Sequence, residues 1–272
     1  LDVYQQTQSD TIWNLTDLNR KQIFNESHAY TGGVSYHFSP ESEIGLKYEG
    51  KYSEGNTFSK DTLSMIPDKG TSTFIRNLSD VSDKCVSNHL NLYYTNDWKN
   101  GWKMNAFGDY FHKTDRNCGN IREWESDGVV TSMDYYRKAD WDLFAAKLSL
   151  SYETGKAGTF SFGYDFSHTT GTDYIEYVRA LNNGSTSNTE MKNSLYLSYD
   201  YTWNKLSLGA GLRYEHIQSD LKENSSNKNQ NQTYHNFLPS VSLSYNTENL
   251  QQSLTYSVHT ERPPFGVMND NA

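Results

Sequence analysis

The chain has 272 residues, of which 35% are hydrophobic and 14% aromatic, and its formal net charge is −9. This acidic balance, without a run rich in Lys and Arg, excludes the usual electrostatic footprint of a nucleic-acid-binding protein. Two Cys are too few for a disulfide framework, and no apolar stretch is long enough for a transmembrane helix. A membrane β-barrel stays open, because its strands need only alternate apolar and polar residues.

Alternating apolar and polar residues predict a series of β-hairpins along the chain. A weak first strand over residues 1–7 precedes turns at residues 39–41, 97–101, 154–158, 204–205 and 246–249. Each turn is flanked on both sides by alternating residues, which is the signature of strands with one apolar face. The sequence therefore predicts an all-β fold of about eleven antiparallel strands.

Residues 195–216, LYLSYDYTWNKLSLGAGLRYEH, show the hairpin pattern most clearly. Apolar side chains stand at odd positions up to Trp203 and at even positions from Leu206 onward. A two-residue turn at Asn204-Lys205 explains this switch, because it places every apolar side chain of both strands on one face. Asn at the first turn position also tolerates the positive φ that a tight hairpin requires.

Long polar segments separate the hairpins, at residues 9–27, 55–84, 114–136, 172–190 and 218–234, and we interpret them as loops. Short turns at one end and long loops at the other are typical of outer-membrane barrels. Strands of about ten residues tilted by about 40° would cover roughly 25 Å of membrane. The pattern favours a transmembrane up-and-down antiparallel β-barrel, and the alternative is a soluble or surface-attached β-sandwich that binds a glycan.

Two stretches resemble the barrels of TonB-dependent receptors from Bacteroidetes. Phe237-Leu238-Pro239-Ser240, Tyr256-Ser257 and Arg262-Pro263 stand where that family has an aromatic-Leu-Pro-Ser strand start, a Tyr-Ser pair and an Arg-Pro pair. The segment LGAGLRYEH at residues 208–216 is similar to the family's Gly-Leu-Arg-Tyr-Glu strand. The resemblance is densest over residues 195–265 and architectural before them.

The resemblance implies a barrel of about 22 strands with a plugged lumen, in the outer membrane of a Gram-negative bacterium. It implies import of a siderophore, a vitamin or an oligosaccharide, without enzymatic chemistry or a cofactor. Residues 1–272 are then expected to form a single β-barrel segment of a larger chain. Expected partners are outer-membrane lipid, an inner-membrane energy-coupling protein that engages a plug domain outside this sequence, and, as a further candidate, a surface lipoprotein.

Aromatic residues of the predicted loops are candidate ligand contacts. They could stack on a sugar or a chelate at the mouth of the barrel, and the alternative is an outer aromatic girdle or loop packing. These residues are Trp124, Tyr135, Tyr136, Trp141, Tyr174 and Tyr177.

Cys85 and Cys118 are predicted to form a disulfide. Both fall at the long-loop end of the hairpin whose turn is centred on Lys99-Asn100, at nearly matching distances from that turn. An oxidising outer-surface environment would favour the bond, and two free thiols are the alternative.

Metal and catalytic sites are not expected from the sequence. Eight His are scattered along the chain without HxH or HxxxH spacing. No nucleophile motif or phosphate-binding loop accompanies a predicted strand. The sequence therefore predicts neither a metal site nor an enzyme.

Overall fold

The computed structural model describes residues 2–8, 11–67, 72–125, 128, 130–178, 183–224 and 228–260. They form one eleven-stranded sheet in which each strand pairs antiparallel with its neighbours in the chain. The strands are β1 (Asp2–Gln8), β2 (Thr11–Ser39), β3 (Ser42–Pro67), β4 (Thr73–Asp97), β5 (Trp102–Glu125), β6 (Val130–Glu153), β7 (Thr159–Tyr177), β8 (Gly184–Trp203), β9 (Leu206–Glu223), β10 (Lys228–Asn246) and β11 (Gln251–Ser257). A short 3-10 turn, Gly155–Ala157, joins β6 to β7.

The predicted strand number and hairpin order are confirmed. Trp203 pairs with Leu206 and Leu197 with Leu212, as the switch in the apolar pattern required. Asn204 has a φ of 54°, which is the left-handed conformation that the turn needs. A single sheet of consecutive hairpins differs from a two-sheet sandwich, so the sandwich alternative is wrong. The predicted Arg262-Pro263 feature lies outside the described residues.

The prediction of long loops is wrong, because most of the polar segments are strands. β4 has 25 residues and β5 has 24, and their pairing extends from Asp97–Lys103 to Ile75–Glu125. Residues 55–67, 73–84, 114–125 and 130–136 therefore belong to the ladder. These strand ends show no apolar alternation because both of their faces are polar. Backbone pairing does not depend on that alternation, so the strands continue.

The described part of the chain contains no helix long and apolar enough to cross a membrane.

The register gathers the apolar residues into a belt on one face of the sheet. Leu197 and Leu212 on this face are 59% and 51% exposed, although both are fully apolar. We call this face the outer wall and the opposite, polar face the inner wall. The buried non-glycine residues of the described segments all lie on the inner wall, which identifies it as the concave side: Ala139, Thr186, Asn188, Ser194, Glu215 and Ile217.

The height of the apolar belt matches a bilayer. On β6 it runs from Phe144 to Tyr152, about nine residues, which span roughly 23 Å at a tilt of about 40°. Near the short turns it ends in aromatic pairs, such as Trp102 and Tyr152, whose ring centroids are 4.7 Å apart. Aromatic side chains at this level are typical of a membrane interface.

Tyrosines form a girdle at the other edge of the belt, one on each of β3, β5, β7 and β9. Each phenol oxygen lies within hydrogen-bonding distance of a polar side chain on the following strand, one outer-wall position beyond the belt. The pairs are Tyr48–Asn88 (2.6 Å), Tyr110–Asp142 (2.7 Å), Tyr164–Asn193 (2.5 Å) and Tyr214–His235 (2.7 Å). This girdle divides the membrane part of each strand from the part beyond it.

Candidate functional site

The inner wall carries two networks of charged side chains at the level of the tyrosine girdle. On β3–β5, His89 lies between two carboxylates, with Nε2 2.9 Å from Asp109 and Nδ1 3.3 Å from Glu49. On β7–β9, Arg213 donates to Asp165 and Glu215, both at 2.8 Å. Such groups are costly in hydrocarbon, so their position on the concave side indicates a polar lumen.

A cavity of about 680 Å³ lies on the inner wall between β4 and β8, beyond the tyrosine girdle. Its volume is in the range of small-molecule binding sites. The strands that build it are the same strands that extend past the membrane, and its lining includes inner-wall residues from each of β4–β8. We call this space the upper cavity.

The charged residues of the upper cavity are mostly paired. Asp173 accepts from the Arg137 guanidinium, with Nε 2.9 Å from Oδ1 and Nη2 closer still to Oδ2, and this carboxylate raises the pKa of Arg137. Asn117 donates to Asp83. The Lys113 ammonium is 2.6 Å from Asp115, which raises the pKa of Lys113. The cavity lining thus combines three carboxylates, Asp83, Asp115 and Asp173, with the inner-wall cation Arg137, and it is bordered by Lys84 and Arg116, whose strand positions belong to the outer wall.

Trp141 and Tyr135 lie flat against the inner wall because each covers a cross-strand glycine. A Cβ at Gly171 would be 2.5 Å from Cε3 of Trp141, and one at Gly119 would be 2.5 Å from Cε1 of Tyr135. Both glycines are direct strand partners of the rings that cover them. Without a side chain at the partner position, each ring rests on backbone and turns one face toward the cavity.

The structure divides the six predicted aromatic contacts into two groups. Tyr135, Trp141 and Tyr177 line the upper cavity. The other three occupy the alternate positions on the outer wall: Trp124, Tyr136 and Tyr174. All six lie within strands β5–β7 rather than in loops, so alternation rather than loop conformation decides which side each one faces.

Sequence reasoning missed the charged residues of the cavity. Three of them lie in segments interpreted as loops: Asp83, Asp115 and Asp173. Arg137 directly follows one of these segments, so its face of the sheet was not assigned. One signal could have identified them. On β4–β7 the inner-wall residues of the membrane part all have odd numbers. This numbering continues unchanged beyond the girdle, and all four charged residues have odd numbers.

The predicted disulfide is wrong, and both cysteines are free. Cys85 pairs with Asp115, whereas Cys118 pairs with Ser82. The two residues are thus displaced by about 10 Å along the strands and face opposite walls. The thiol of Cys85 has a raised pKa because of burial and a hydrogen bond to Asp115, so its reactive thiolate is disfavoured.

Within the described residues, no group of three or more His, Cys, Asp or Glu side chains could hold a metal ion. The absence of a metal site and of enzymatic activity stay predictions.

Comparisons with known proteins identify a protein family and solved structures with a similar fold. A family model described as "Outer membrane protein beta-barrel family" matches residues 97–272. No curated protein matches the chain. The ferric-catecholate import receptor Fiu from E. coli K12 is 8% identical, with a TM-score of 0.50 over 88% of this chain and 49% of that one.

Two further solved structures show weaker similarity. The FrpB iron transporter from Neisseria meningitidis is 11% identical (TM-score 0.48; 90% of this chain and 45% of that one). The alcaligin outer-membrane receptor FauA from Bordetella pertussis is 12% identical (TM-score 0.47; 89% and 43%). The chain thus spans less than half the length of these proteins.

The family match covers more than half of the chain and includes β5–β11. It agrees with the all-β sheet, its up-and-down order and its outward apolar belt. The chain belongs to the outer membrane protein β-barrel family and is part of a β-barrel of the bacterial outer membrane.

Proposed function

We propose that this barrel imports a nutrient across the outer membrane, in the manner of the TonB-dependent receptors that its sequence resembles. The observation that carries the proposal is the inner wall, which is polar along the strands and holds the upper cavity at its external end. In barrels of this kind the short turns lie on the periplasmic side, so the cavity faces the cell exterior.

A route from the upper cavity into the membrane part of the lumen supports import. A second cavity of about 340 Å³ shares Asp83 and Cys85 with the upper cavity. A third, of about 400 Å³, shares Lys51 with the second and reaches Glu49 and His89. The three cavities therefore form a continuous polar path along β3 and β4, from the upper cavity toward the membrane part of the lumen. A hydrophilic cargo would require such a path.

The chemistry of the upper cavity favours an oligosaccharide among the three cargo classes. Asp83, Asp115 and Asp173 supply acceptors for sugar hydroxyls, and the flat faces of Trp141 and Tyr135 supply stacking surfaces. An anionic ferric chelate would meet three carboxylates, and the cations beside two of them, Lys113 and Arg137, are already engaged by Asp115 and Asp173. A neutral polyhydroxylated cargo meets no such repulsion.

The complete transporter requires more strands than the described sheet provides. β1 and β11 each pair with one strand within the described residues, and an unpaired edge in hydrocarbon leaves backbone N–H and C=O groups without partners. We infer that further strands close the barrel around a plug, through which an inner-membrane coupling protein acts. A surface lipoprotein remains a candidate partner at the external end. The contribution of the barrel is binding and gating, not covalent chemistry.

Uptake and binding assays with paired variants test the proposal. Trp141→Ala is expected to weaken oligosaccharide binding about tenfold, because it removes one stacking surface. Trp124→Ala, which removes the same side chain from the outer wall of β5, is the matched control and is expected to leave binding unchanged. Binding is measured by titration calorimetry against a panel of oligosaccharides, and uptake by accumulation of labelled cargo in cells.

Loss of cargo accumulation on gene deletion supports import. Normal growth and uptake in the deletion strain, on every cargo of the panel, would contradict it. Equal weakening by Trp141→Ala and Trp124→Ala would show that the upper cavity is not the binding site.

A further inference from the structure

Three cations form a row on the outer wall beyond the membrane. Lys84 on β4 pairs directly with Arg116 on β5, which pairs directly with Lys138 on β6. Side chains at such positions have Cβ atoms about 5 Å apart, and like charges directly opposite each other are destabilising. We call these three residues the cationic row.

The carboxylates around the cationic row neutralise it only in part. The Lys138 ammonium is 2.6 Å from Asp140. At the other end, Glu54 stands opposite Lys84, whose ammonium lies 5.0 Å from the centre of the Tyr52 ring. The next acid on this face is Glu176 on β7, which stands opposite Tyr136 and accepts a hydrogen bond from Tyr174 (3.0 Å). Asp80 and Asp134 lie four residues further from the membrane than Lys84 and Lys138.

Arg116, at the centre of the row, is exposed and makes no ion pair within the described residues. Its guanidinium is thus available to an external anion, and guanidinium groups bind phosphate through two parallel hydrogen bonds. A phosphate bound to Arg116 would lie at the centre of the row, between the ammonium groups of Lys84 and Lys138.

The height of the row above the membrane is defined by the strand register. Leu90, Tyr110 and Phe144 form the last row of the apolar belt on the same three strands. The cationic row lies six residues beyond them on each strand, which corresponds to about 20 Å along the strands and about 15 Å along the membrane normal. Phospholipid head groups occupy only the first several ångströms beyond the hydrocarbon, so the row lies above them.

Two aromatic side chains flank the cationic row. Tyr174 on β7 pairs directly with Lys138, and Tyr136 lies one outer-wall position beyond Lys138 on β6. Both are 37% exposed. Rings beside cations supply a stacking surface for sugars next to a phosphate site.

We propose that the cationic row and the two tyrosines bind the phosphorylated saccharide of an outer-leaflet glycolipid. The external leaflet of a Gram-negative outer membrane carries such glycolipids, whose charged sugars project beyond the level of phospholipid head groups. A bound phosphate offsets the repulsion between Lys84, Arg116 and Lys138, and the tyrosines contact the adjoining sugar rings. Lys84 and Arg116 also border the upper cavity, but by strand alternation their side chains project from the opposite wall. The proposal does not depend on the import proposal.

Glycolipid binding by the detergent-solubilised protein tests the proposal. The triple variant Lys84→Gln, Arg116→Gln, Lys138→Gln is compared with Arg20→Gln, Lys60→Gln, Arg76→Gln, which removes the same charge from the outer wall further from the membrane. The probe is purified lipopolysaccharide in mixed micelles, with enzymatically dephosphorylated lipopolysaccharide as the ligand control. Affinity is read by native mass spectrometry or microscale thermophoresis at low salt.

The cationic-row variant is expected to bind about a hundredfold more weakly at low salt, and the control variant nearly normally. Dephosphorylation of the ligand is expected to produce a similar loss for the wild-type protein. Equal affinities for both ligand forms, equal losses in both variants, or preferential capture of an acidic peptide over lipopolysaccharide would each overturn the proposal. The single variant Arg116→Gln, at an exposed position, provides the same comparison if the triple variant does not fold.

Discussion

The same strands behave differently on the two sides of the tyrosine girdle. Below it, the outer-wall residues of β4–β9 are mostly apolar and the inner-wall residues mostly polar, with exceptions such as Phe107 and Ala145 on the inner wall. Above it, the outer wall carries residues such as Lys84, Arg116 and Glu176, yet the hydrogen-bonded ladder continues unbroken to Ile75–Glu125. The comparison shows that the alternation reflects the solvent on each side of the sheet, whereas the strands themselves are maintained by their neighbours.

Charge on the outer wall gives the largest expected difference between the two regions. Leu197→Arg, in the middle of the belt, is expected to destabilise the folded barrel by about 2–4 kcal/mol, because a guanidinium would face the bilayer centre. Ser187→Arg lies on the same face of β8 beyond the girdle and is expected to change stability by less than about 0.5 kcal/mol. Chemical unfolding in lipid vesicles measures both, and similar losses would contradict the assigned membrane boundary.

Glycines sharpen the comparison at the level of single rings. Gly171→Ala is expected to cost about 1–3 kcal/mol, because the new methyl group would overlap the indole of Trp141. Gly108→Ala, on the outer wall of β5, has no atom within 4 Å of the new Cβ and serves as the control. Unfolding free energies test the difference, and tryptophan fluorescence reports displacement of the ring. A neutral Gly171→Ala variant with an unchanged spectrum would refute the flat packing of Trp141.

The girdle itself is tested by removal of one hydroxyl group. Tyr110→Phe is expected to cost about 1 kcal/mol, because Asp142 loses a hydrogen bond at the membrane edge. Asp142 keeps its 2.9 Å contact with His112, which limits the loss. Tyr136→Phe, beyond the girdle, is the comparison and is expected to be nearly neutral. Stability measurements that rank these two variants in the reverse order would contradict the role assigned to the girdle.

The cysteines provide the smallest expected effect, a difference in reaction rate. Cys118 is exposed, whereas burial and Asp115 raise the pKa of Cys85. A raised pKa lowers the thiolate fraction at a given pH, so Cys85 is expected to react several-fold more slowly than Cys118 with iodoacetamide at pH 8. Peptide mapping after timed alkylation measures both rates. A disulfide-linked peptide in the non-reduced protein would overturn the register of β4 and β5.

The membrane part of the fold was predictable because lipid imposes a strict rule on its residues. The register of β8 and β9 followed from the switch at Trp203 and Leu206, and the structure confirms it. Beyond the girdle that rule no longer applies, since polar residues are acceptable on both walls. The strand character of residues around Arg137 and Asp173 therefore left no apolar signal in the sequence.

An error of a few residues in the predicted register changes which side chains meet and which wall they face, and this affected the predicted disulfide and the aromatic contacts. The turn between β4 and β5 places Gly101 at a φ of 89° and fixes Cys85 opposite Asp115. Near agreement of the cysteine positions was insufficient, because an offset of three residues reverses the face as well as the height. The division of the aromatic residues between the walls has the same origin. Tyr135 and Tyr136 are neighbours in sequence, but Tyr135 lies on the inner wall and Tyr136 on the outer wall.

Strands that continue beyond the membrane also determine how this protein meets proteases at the cell surface. Proteases bind substrates as extended, unpaired segments, and the backbone around Arg116 and Lys138 is already paired on both sides. Although both residues are basic and lie on an accessible wall, trypsin added to intact cells should leave them uncut while the barrel is folded. The external part of the barrel would then resist digestion as a rigid extension of the membrane-embedded part.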